Sequence, residues 1–281
     1  MQKNNFYNEI CNIEEYEFDP KTAIISRGSS KGYTKKFSVD GFWYKISAGA
    51  FNAHAETVAS RLLKYTSIKS YVDYSLCKVN GEYATRAKDY INGCKHETIK
   101  SAYFKTYLSP IEDLENTTQG AELYNFIVNF VEKRFKNDFT KIFSEMFRFD
   151  ALVMNEDRHF RNIEFIEDNG NWKPVPLFDF DCSLYACLED LDDVKNYIKK
   201  SLPFFNTHEE QLLFLNTLDN QRIILSEFNP QAVTSNLWSD NYNIGYAEVT
   251  SYLNTLKGGI VLWHETTASL NIITKIHLQP L

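Results

Sequence analysis

The sequence lacks any apolar run that could cross a membrane, since no stretch approaches the ~18 apolar residues that a bilayer-spanning helix requires. Its first residues, MQKNNFYNEICNIEEYEF, are polar and do not contain the apolar core of a secretory signal. We therefore expect a cytoplasmic protein that does not bind membranes.

Cysteine and positive charge are also scarce. The five cysteines form an odd number and no C-x-x-C pair occurs, which disfavours a disulfide framework and a zinc site. We interpret them as reduced thiols. The formal net charge of −7 disfavours broad attraction to a nucleic-acid backbone, so we expect no directly bound nucleic acid.

Two common glycine-rich signatures are missing as well, because neither G-x-x-x-x-G-K-[ST] nor G-x-G-x-x-G occurs. The apolar content of 43% is nevertheless enough to build a core, and the charged residues are mixed in sign, which argues against wholesale disorder. A chain of 281 residues can form one large domain or two lobes with a cleft between them.

The N-terminal part has the pattern hairpin, helix, hairpin. Asp40-Gly41 and Asn80-Gly81 accept the positive φ angles of tight turns, and each pair separates two β-prone runs. The predicted elements are strands at 36–39 and 42–46, a helix from 52 to about 65, and strands at 70–79 and 83–90.

The pattern becomes helical after a polar stretch, residues 92–119, that we interpret as irregular and as containing a lobe boundary. The predicted helices are 121–135, 139–154, 188–199, 209–218, 246–256 and 260–270, and a strand pair at 163–166 and 172–180 interrupts them. We therefore predict an α+β fold with a small β-rich N-terminal lobe over residues 1–115 and a larger, mainly helical C-terminal lobe over residues 116–281.

The polar stretch N-E-D-R-H-F-R-N at 155–162, followed by F-D-F-D at 178–181, carries the strongest chemical signal. Phosphoryl transfer needs a group that orients the attacking hydroxyl and oxygen ligands for Mg²⁺. Asp157 suits the first role, and Asn162 and Asp179 suit the second. Singly, each could instead be a turn former or a salt-bridge partner.

Three neighbours in this motif leave alternatives open. Asp181 is either an additional metal ligand or a cap before Ser183. Arg158 could pair with a carboxylate or a phosphate. For His159 we favour a structural role, packed under the loop and holding its shape by hydrogen bonds.

A lysine and a glutamate in the N-terminal part fit a phosphate-positioning pair. Along the predicted strand, Lys45 is two residues from Trp43 and therefore shares its face, while Tyr44 lies on the opposite face. Glu56 falls at the edge of the apolar stripe of the next helix, eleven residues later. A strand lysine paired with a helix glutamate is the arrangement that positions nucleotide phosphates in kinases.

The segment S-R-G-S-S-K-G-Y at 26–33 precedes the first hairpin. Two glycines and small hydroxyl residues allow backbone amides to approach an anion, so Gly28, Ser29, Ser30 and Gly32 are candidates for a phosphate-covering loop. The alternative is an ordinary surface turn.

Taken together, a small-residue loop, a strand lysine, a helix glutamate, D-R-H-x-x-N and a strand-end aspartate resemble the HipA-like serine/threonine kinases over residues 24–225. The resemblance implies a bilobal protein-kinase-like fold, ATP and Mg²⁺ as cofactors and a protein substrate. It also implies Asp157 as the catalytic aspartate, Asn162 and Asp179 as Mg²⁺ ligands, and Lys45 and Glu56 as the phosphate pair.

The resemblance further implies that Ser29 or Ser30 could be autophosphorylated and that the protein could be a toxin with an antitoxin partner. The chain departs from the kinase pattern at Asp181, which stands where the Asp-Phe-Gly motif has glycine. Two other functions remain open: a phosphoinositide or small-molecule kinase that uses the same D-R-H-x-x-N site, and a pseudokinase that binds a partner.

Overall fold

The computed structural model describes residues 13–18, 24–25, 35–47, 51–186, 200–219, 223, 225–234 and 243–256. For 24–25 and 243–248 it describes the backbone alone. The loop at 26–33, with Gly28, Ser29, Ser30 and Gly32, lies outside the described residues, and so do the helices predicted at 188–199 and 260–270.

The N-terminal part is built on a six-stranded sheet with the strand order β1-β5-β6-β4-β3-β2. Its strands are β1 (Glu15–Tyr16), β2 (Ile24–Ile25), β3 (Lys36–Val39), β4 (Phe42–Ile46), β5 (Ser75–Val79) and β6 (Glu82–Lys88). Both predicted hairpins are present: β3 pairs with β4, and β5 pairs with β6, each antiparallel. Asp40 and Gly41 have φ angles of 50° and 76°, as the first turn requires.

One helix, α1 (Asn52–Leu63), packs beside β5 and β6. Its predicted apolar stripe is buried, and Val58, Ala59 and Leu62 are each 0% exposed. Burial of this stripe, together with the hydrogen bond from the Ala53 amide to Ser47 Oγ (3.2 Å), fixes where the helix begins and how it lies on the sheet.

The interpretation of residues 92–119 as irregular is wrong. This stretch contains β7 (His96–Thr98), α2 (Ile99–Tyr107) and α3 (Ile111–Glu115). Thr98 caps α2, because its hydroxyl accepts from the Ser101 amide while the Ser101 hydroxyl accepts from the Thr98 amide. Polar composition hid both this capping box and the buried positions that follow it.

The C-terminal part comprises α4 (Gly120–Phe135), α5 (Thr140–Val153), β8 (Glu164–Asp168), β9 (Asn171–Pro174), α6 (His208–Leu218), α7 (Pro230–Thr234) and α8 (Asn243–Leu256). Strand β8 lies between β7 and β9 in a separate three-stranded sheet. β9 ends before the predicted limit of 180, because Pro174 and Pro176 have no amide to donate to a partner strand. β5 likewise starts at Ser75 and not at 70.

Two apolar clusters hold these elements. The smaller one contains Phe37, Tyr44 and Ile46 on the sheet face opposite Lys45. The larger one runs continuously from α1 through α4 and α5 to α8. The α+β architecture is therefore as predicted, while the division at residue 115 stays a prediction. No helix within the described segments is both long and apolar enough to cross a bilayer.

Substitutions of two adjacent leucines in α6 would test how the apolar core is packed. Leu212 is 3% exposed and Leu213 is 49% exposed. We expect Leu212→Ala to lower the free energy of unfolding by about 2–5 kcal/mol, because it leaves a cavity, and Leu213→Ala to change it by less than about 1 kcal/mol. Urea unfolding measures both, and equal losses would contradict the packing described.

Candidate active site

The centre of the site is one ammonium group surrounded by carboxylates. Lys45 projects from β4, and its Nζ lies 3.2 Å from Glu56 Oε1 and 2.9 Å from Asp181 Oδ2. The same Nζ also forms an ion pair with Asp179. Thus β4, α1 and the segment after β9 meet at a single buried cation, as the predicted Lys45–Glu56 pair requires.

Burial and charge shift the protonation of this cluster in known directions. Burial alone would lower the pKa of Lys45, but the carboxylates of Asp179, Asp181 and Glu56 outweigh it and raise that pKa well above its usual range. Burial would raise the pKa of Asp179, yet Lys45, Lys36 and Arg158 hold it well below the usual range. Lys45 and Asp179 are therefore both charged at neutral pH.

Glu56 is less completely compensated than Asp179. Its burial raises the pKa of the carboxyl, and Lys45 lowers that pKa by less. The Thr85 hydroxyl donates to Glu56 Oε2 at 2.7 Å, which holds the carboxylate in place. One lysine thus faces three carboxylates, so the cluster carries more negative than positive charge. A cation bound nearby would offset this surplus.

Asn162 is oriented to offer an oxygen. Its Nδ2 donates to the backbone carbonyl of Asp157 at 3.0 Å, and this bond leaves Oδ1 without a hydrogen-bond partner among the described residues. Within that same part of the chain, no three His, Cys, Asp or Glu side chains form a group suited to a metal ion. Both predicted ligands, Asn162 and Asp179, line one cavity. Two oxygen donors of this kind fit Mg²⁺, which keeps several water or phosphate ligands.

Asp179 lies where the chain turns sharply. Its φ angle is 63°, in the left-handed region that aspartate tolerates better than most residues. The backbone at Asp179 is therefore not extended, although the strand predicted at 172–180 included this residue. Lys45 forms ion pairs with both carboxylates, so Asp181 has a role that neither alternative foresaw, as an ion-pair partner.

Arg158 proves to be the residue that holds the loop together. Its Nε and Nη2 donate to Asp150 Oδ2 (2.8 Å) and Oδ1 (2.9 Å), and both side chains are 1% exposed. Its Nη1 donates to the backbone carbonyls of Asn162 (3.1 Å) and Phe178 (2.7 Å). One guanidinium therefore ties the Asp157 loop, α5 and the approach to Asp179 to each other.

Asp150 and Asn155 were missed by the sequence interpretation. Asn155 donates to Asp150 Oδ1 at 2.9 Å, and its Oδ1 accepts from the Asp157 amide at 3.3 Å. Asp150 has an ordinary helical context, so its only sequence signal is a charged residue on the apolar face of α5. A charge at such a position predicts a buried partner.

The structural role assigned to His159 is not observed. Its ring Nδ1 has no hydrogen-bond partner among the described residues, and its Nε2 lies 3.8 Å from Asp157 Oδ2. Arg158 makes the bonds that we expected of His159. The histidine instead lies beside the catalytic candidate and acts on its charge.

Asp157 is accessible from solvent, with 46% of its side chain exposed. Burial raises the pKa of its carboxyl, His159 lowers that pKa, and Asp179 and Asp181 raise it further. The net shift is upward, so this carboxylate accepts a proton more readily than an ordinary aspartate.

A cavity of about 1060 Å³ opens next to these groups. Lys45, Asn162 and Asp179 line it, and so do aromatic side chains of both parts of the chain, among them Tyr90 and Phe178. Those two rings lie 5.6 Å apart between centroids. Asp157 is not part of the lining, so it stands outside the cavity on the same loop as Asn162.

Substitution of Asp150 tests how much its ion pair with Arg158 stabilises the fold. Asp150→Ala leaves a buried guanidinium without its carboxylate, and we expect the free energy of unfolding to fall by about 3–5 kcal/mol. Asp168→Ala removes an exposed partner of Lys173 and should cost less than about 1 kcal/mol. Chemical denaturation measures both, and a loss for Asp150→Ala no larger than for the control would contradict the account.

Comparisons with known proteins matched solved structures but no sequence family. No protein-family model matches the sequence, and no curated protein matches it. The structure of the Helicobacter pylori proinflammatory kinase CtkA superposes with a TM-score of 0.60 at 15% identity, over 96% of this chain and 100% of that chain. HipA of Shewanella oneidensis MR-1, from a toxin–antitoxin complex with HipB and operator DNA, gives 0.46 at 13% identity, over 92% and 64%. The predicted bilobal kinase-like fold is confirmed by the likeness to CtkA.

Proposed function

We propose that the protein is an ATP- and Mg²⁺-dependent phosphotransferase that phosphorylates serine or threonine side chains of a protein. The observation that carries this proposal is the convergence of Lys45, Asn162 and Asp179 on one cavity, beside the loop that presents Asp157. These are the groups that positioning and electrostatic stabilisation of a phosphoryl group require.

Lys45 would bind the phosphates of the nucleotide. Its charge is fixed at neutral pH by the surrounding carboxylates. Glu56 holds the ammonium at 3.2 Å and is itself held by Thr85, so the lysine has little freedom to leave the cavity wall. A preorganised cation of this kind lowers the cost of binding an anionic ligand.

Asn162 Oδ1 and the Asp179 carboxylate would hold Mg²⁺. When bound, the metal neutralises negative charge on the β- and γ-phosphates. Asn162 contributes by keeping its amide nitrogen on the Asp157 carbonyl, which fixes the oxygen towards the ligand side. Arg158 keeps the two ligands in register, because it binds the backbone at Asn162 and at Phe178, next to Asp179.

Asp157 would orient the acceptor hydroxyl and receive its proton. Its half-exposed position allows a side chain of another protein to reach it from outside the cavity. The upward shift of its pKa makes this carboxylate a better proton acceptor than an ordinary aspartate.

The choice of a protein acceptor rests on the resemblance to HipA-like kinases. Self-phosphorylation at Ser29 or Ser30, a toxin role and an antitoxin partner remain predictions. The loop that contains the two serines lies outside the described residues.

Asp157→Asn provides the direct test. We expect phosphate transfer from labelled ATP to fall by at least ~10²–10⁴-fold, because the base is lost, while ATP binding survives. Asp168→Asn, an exposed aspartate on the adjoining hairpin, is the matched control and should retain full activity. Intact-mass spectrometry with and without ATP reports self-modification in the same samples.

Full activity of Asp157→Asn would refute the assignment of the base. Protein, phosphoinositide and aminoglycoside acceptors are offered in parallel, and transfer to either of the last two alone would refute the protein acceptor. A folded wild-type protein that transfers phosphate to none of them would refute the proposed function.

A further inference from the structure

Glu164 is a buried acid in the cavity that the proposed mechanism does not use. It begins β8 two residues after Asn162, and both side chains line the same cavity. Two residues of extended chain span at most ~7 Å, so Glu164 adjoins the candidate metal ligand. The residue is 7% exposed.

Only one oxygen of this carboxylate is occupied. Oε1 is hydrogen-bonded to Nδ1 of His96, which lies on the neighbouring strand β7. Oε2 has no hydrogen-bond partner in the part of the chain that the structure describes. Oε2 is not fully enclosed by protein, so it is open to the cavity, where a bound ligand can donate to it.

The cavity that Glu164 lines offers aromatic and apolar surface for a flat ring, and Lys36, Lys100 and Arg161 also supply positive charge to its lining. Tyr90 and Phe178 stand with a tilt of 37° between their rings, and Trp43 and Ile91 also line the cavity. Phosphate groups repel a carboxylate and offer it no donor at neutral pH. A nucleoside supplies both an aromatic base and hydrogen-bond donors.

We propose that Glu164 recognises the nucleoside of the bound nucleotide by accepting, at Oε2, a hydrogen bond from a ribose hydroxyl or from the amino group of the base. His96 is a positioning residue that holds Oε1 and so directs Oε2 into the cavity. This inference rests on the proposed function, because it requires that a nucleotide occupies the cavity with its phosphates at Lys45.

Titration calorimetry with Mg²⁺ and ATP tests the proposal on the full chain. We expect Glu164→Leu to weaken ATP binding about 10- to 100-fold, as the loss of a hydrogen bond to a charged group predicts. Glu167→Leu removes an acid that pairs with Lys95 outside the cavity, and it should bind ATP as the wild type does. Thermal unfolding of both variants verifies that they are folded.

Three ATP analogues identify the donor, each lacking the 2′-hydroxyl, the 3′-hydroxyl or the amino group of adenine. The analogue without the bonded donor should bind the wild type weakly, and it should bind Glu164→Leu with the same affinity as ATP. The series on the wild type needs no folded variant, so it decides the matter even if Glu164→Leu does not fold.

Unchanged ATP affinity in a folded Glu164→Leu, or three analogues that all bind the wild type as ATP does, would overturn the inference. In either case the proposed function survives if the wild type binds and uses ATP. A wild type that does not bind ATP at all would refute the proposed function itself.

Discussion

The structure depends on one largely buried lysine that forms ion pairs with three acids. Lys45 comes from the sheet, Glu56 from α1, and Asp179 and Asp181 from the chain that follows the second sheet. None of these charges could be buried alone without a large desolvation cost. Their mutual compensation joins the two parts of the chain and places a cation at the wall of the cavity.

A second ion pair, between Arg158 and Asp150, positions the two segments that carry the candidate site residues. Arg158 and Asp150 are each 1% exposed and lie below the loop that presents Asp157 and Asn162. The same guanidinium also binds the carbonyl of Phe178, next to Asp179. Because one side chain contacts both segments, Asp157 and the candidate metal ligands keep a fixed relation. Such rigidity is what a reaction that depends on positioning requires.

The sequence was sufficient to predict those features that depend on residues close together in the chain. Asp40-Gly41 and Asn80-Gly81 predicted both hairpins, and the apolar stripe with Glu56 at its edge predicted α1 and its pairing with Lys45. It was insufficient where a contact joins distant positions. Nothing near Arg158 indicates that Asp150, eight residues earlier, and a carbonyl at Phe178 would share it. Capping at Thr98 and the free oxygen of Glu164 are likewise visible only once strands and helices have been placed.

The most direct test of the central claim is the effect of Mg²⁺ on ATP affinity, measured by titration calorimetry in Mg²⁺ and in EDTA. For the wild type we predict that Mg²⁺ tightens binding, because Asn162 and Asp179 would then hold a cation that offsets the charge of the phosphates. For Asp179→Ala we predict that Mg²⁺ has little effect. An equal effect of Mg²⁺ on both proteins would contradict the account.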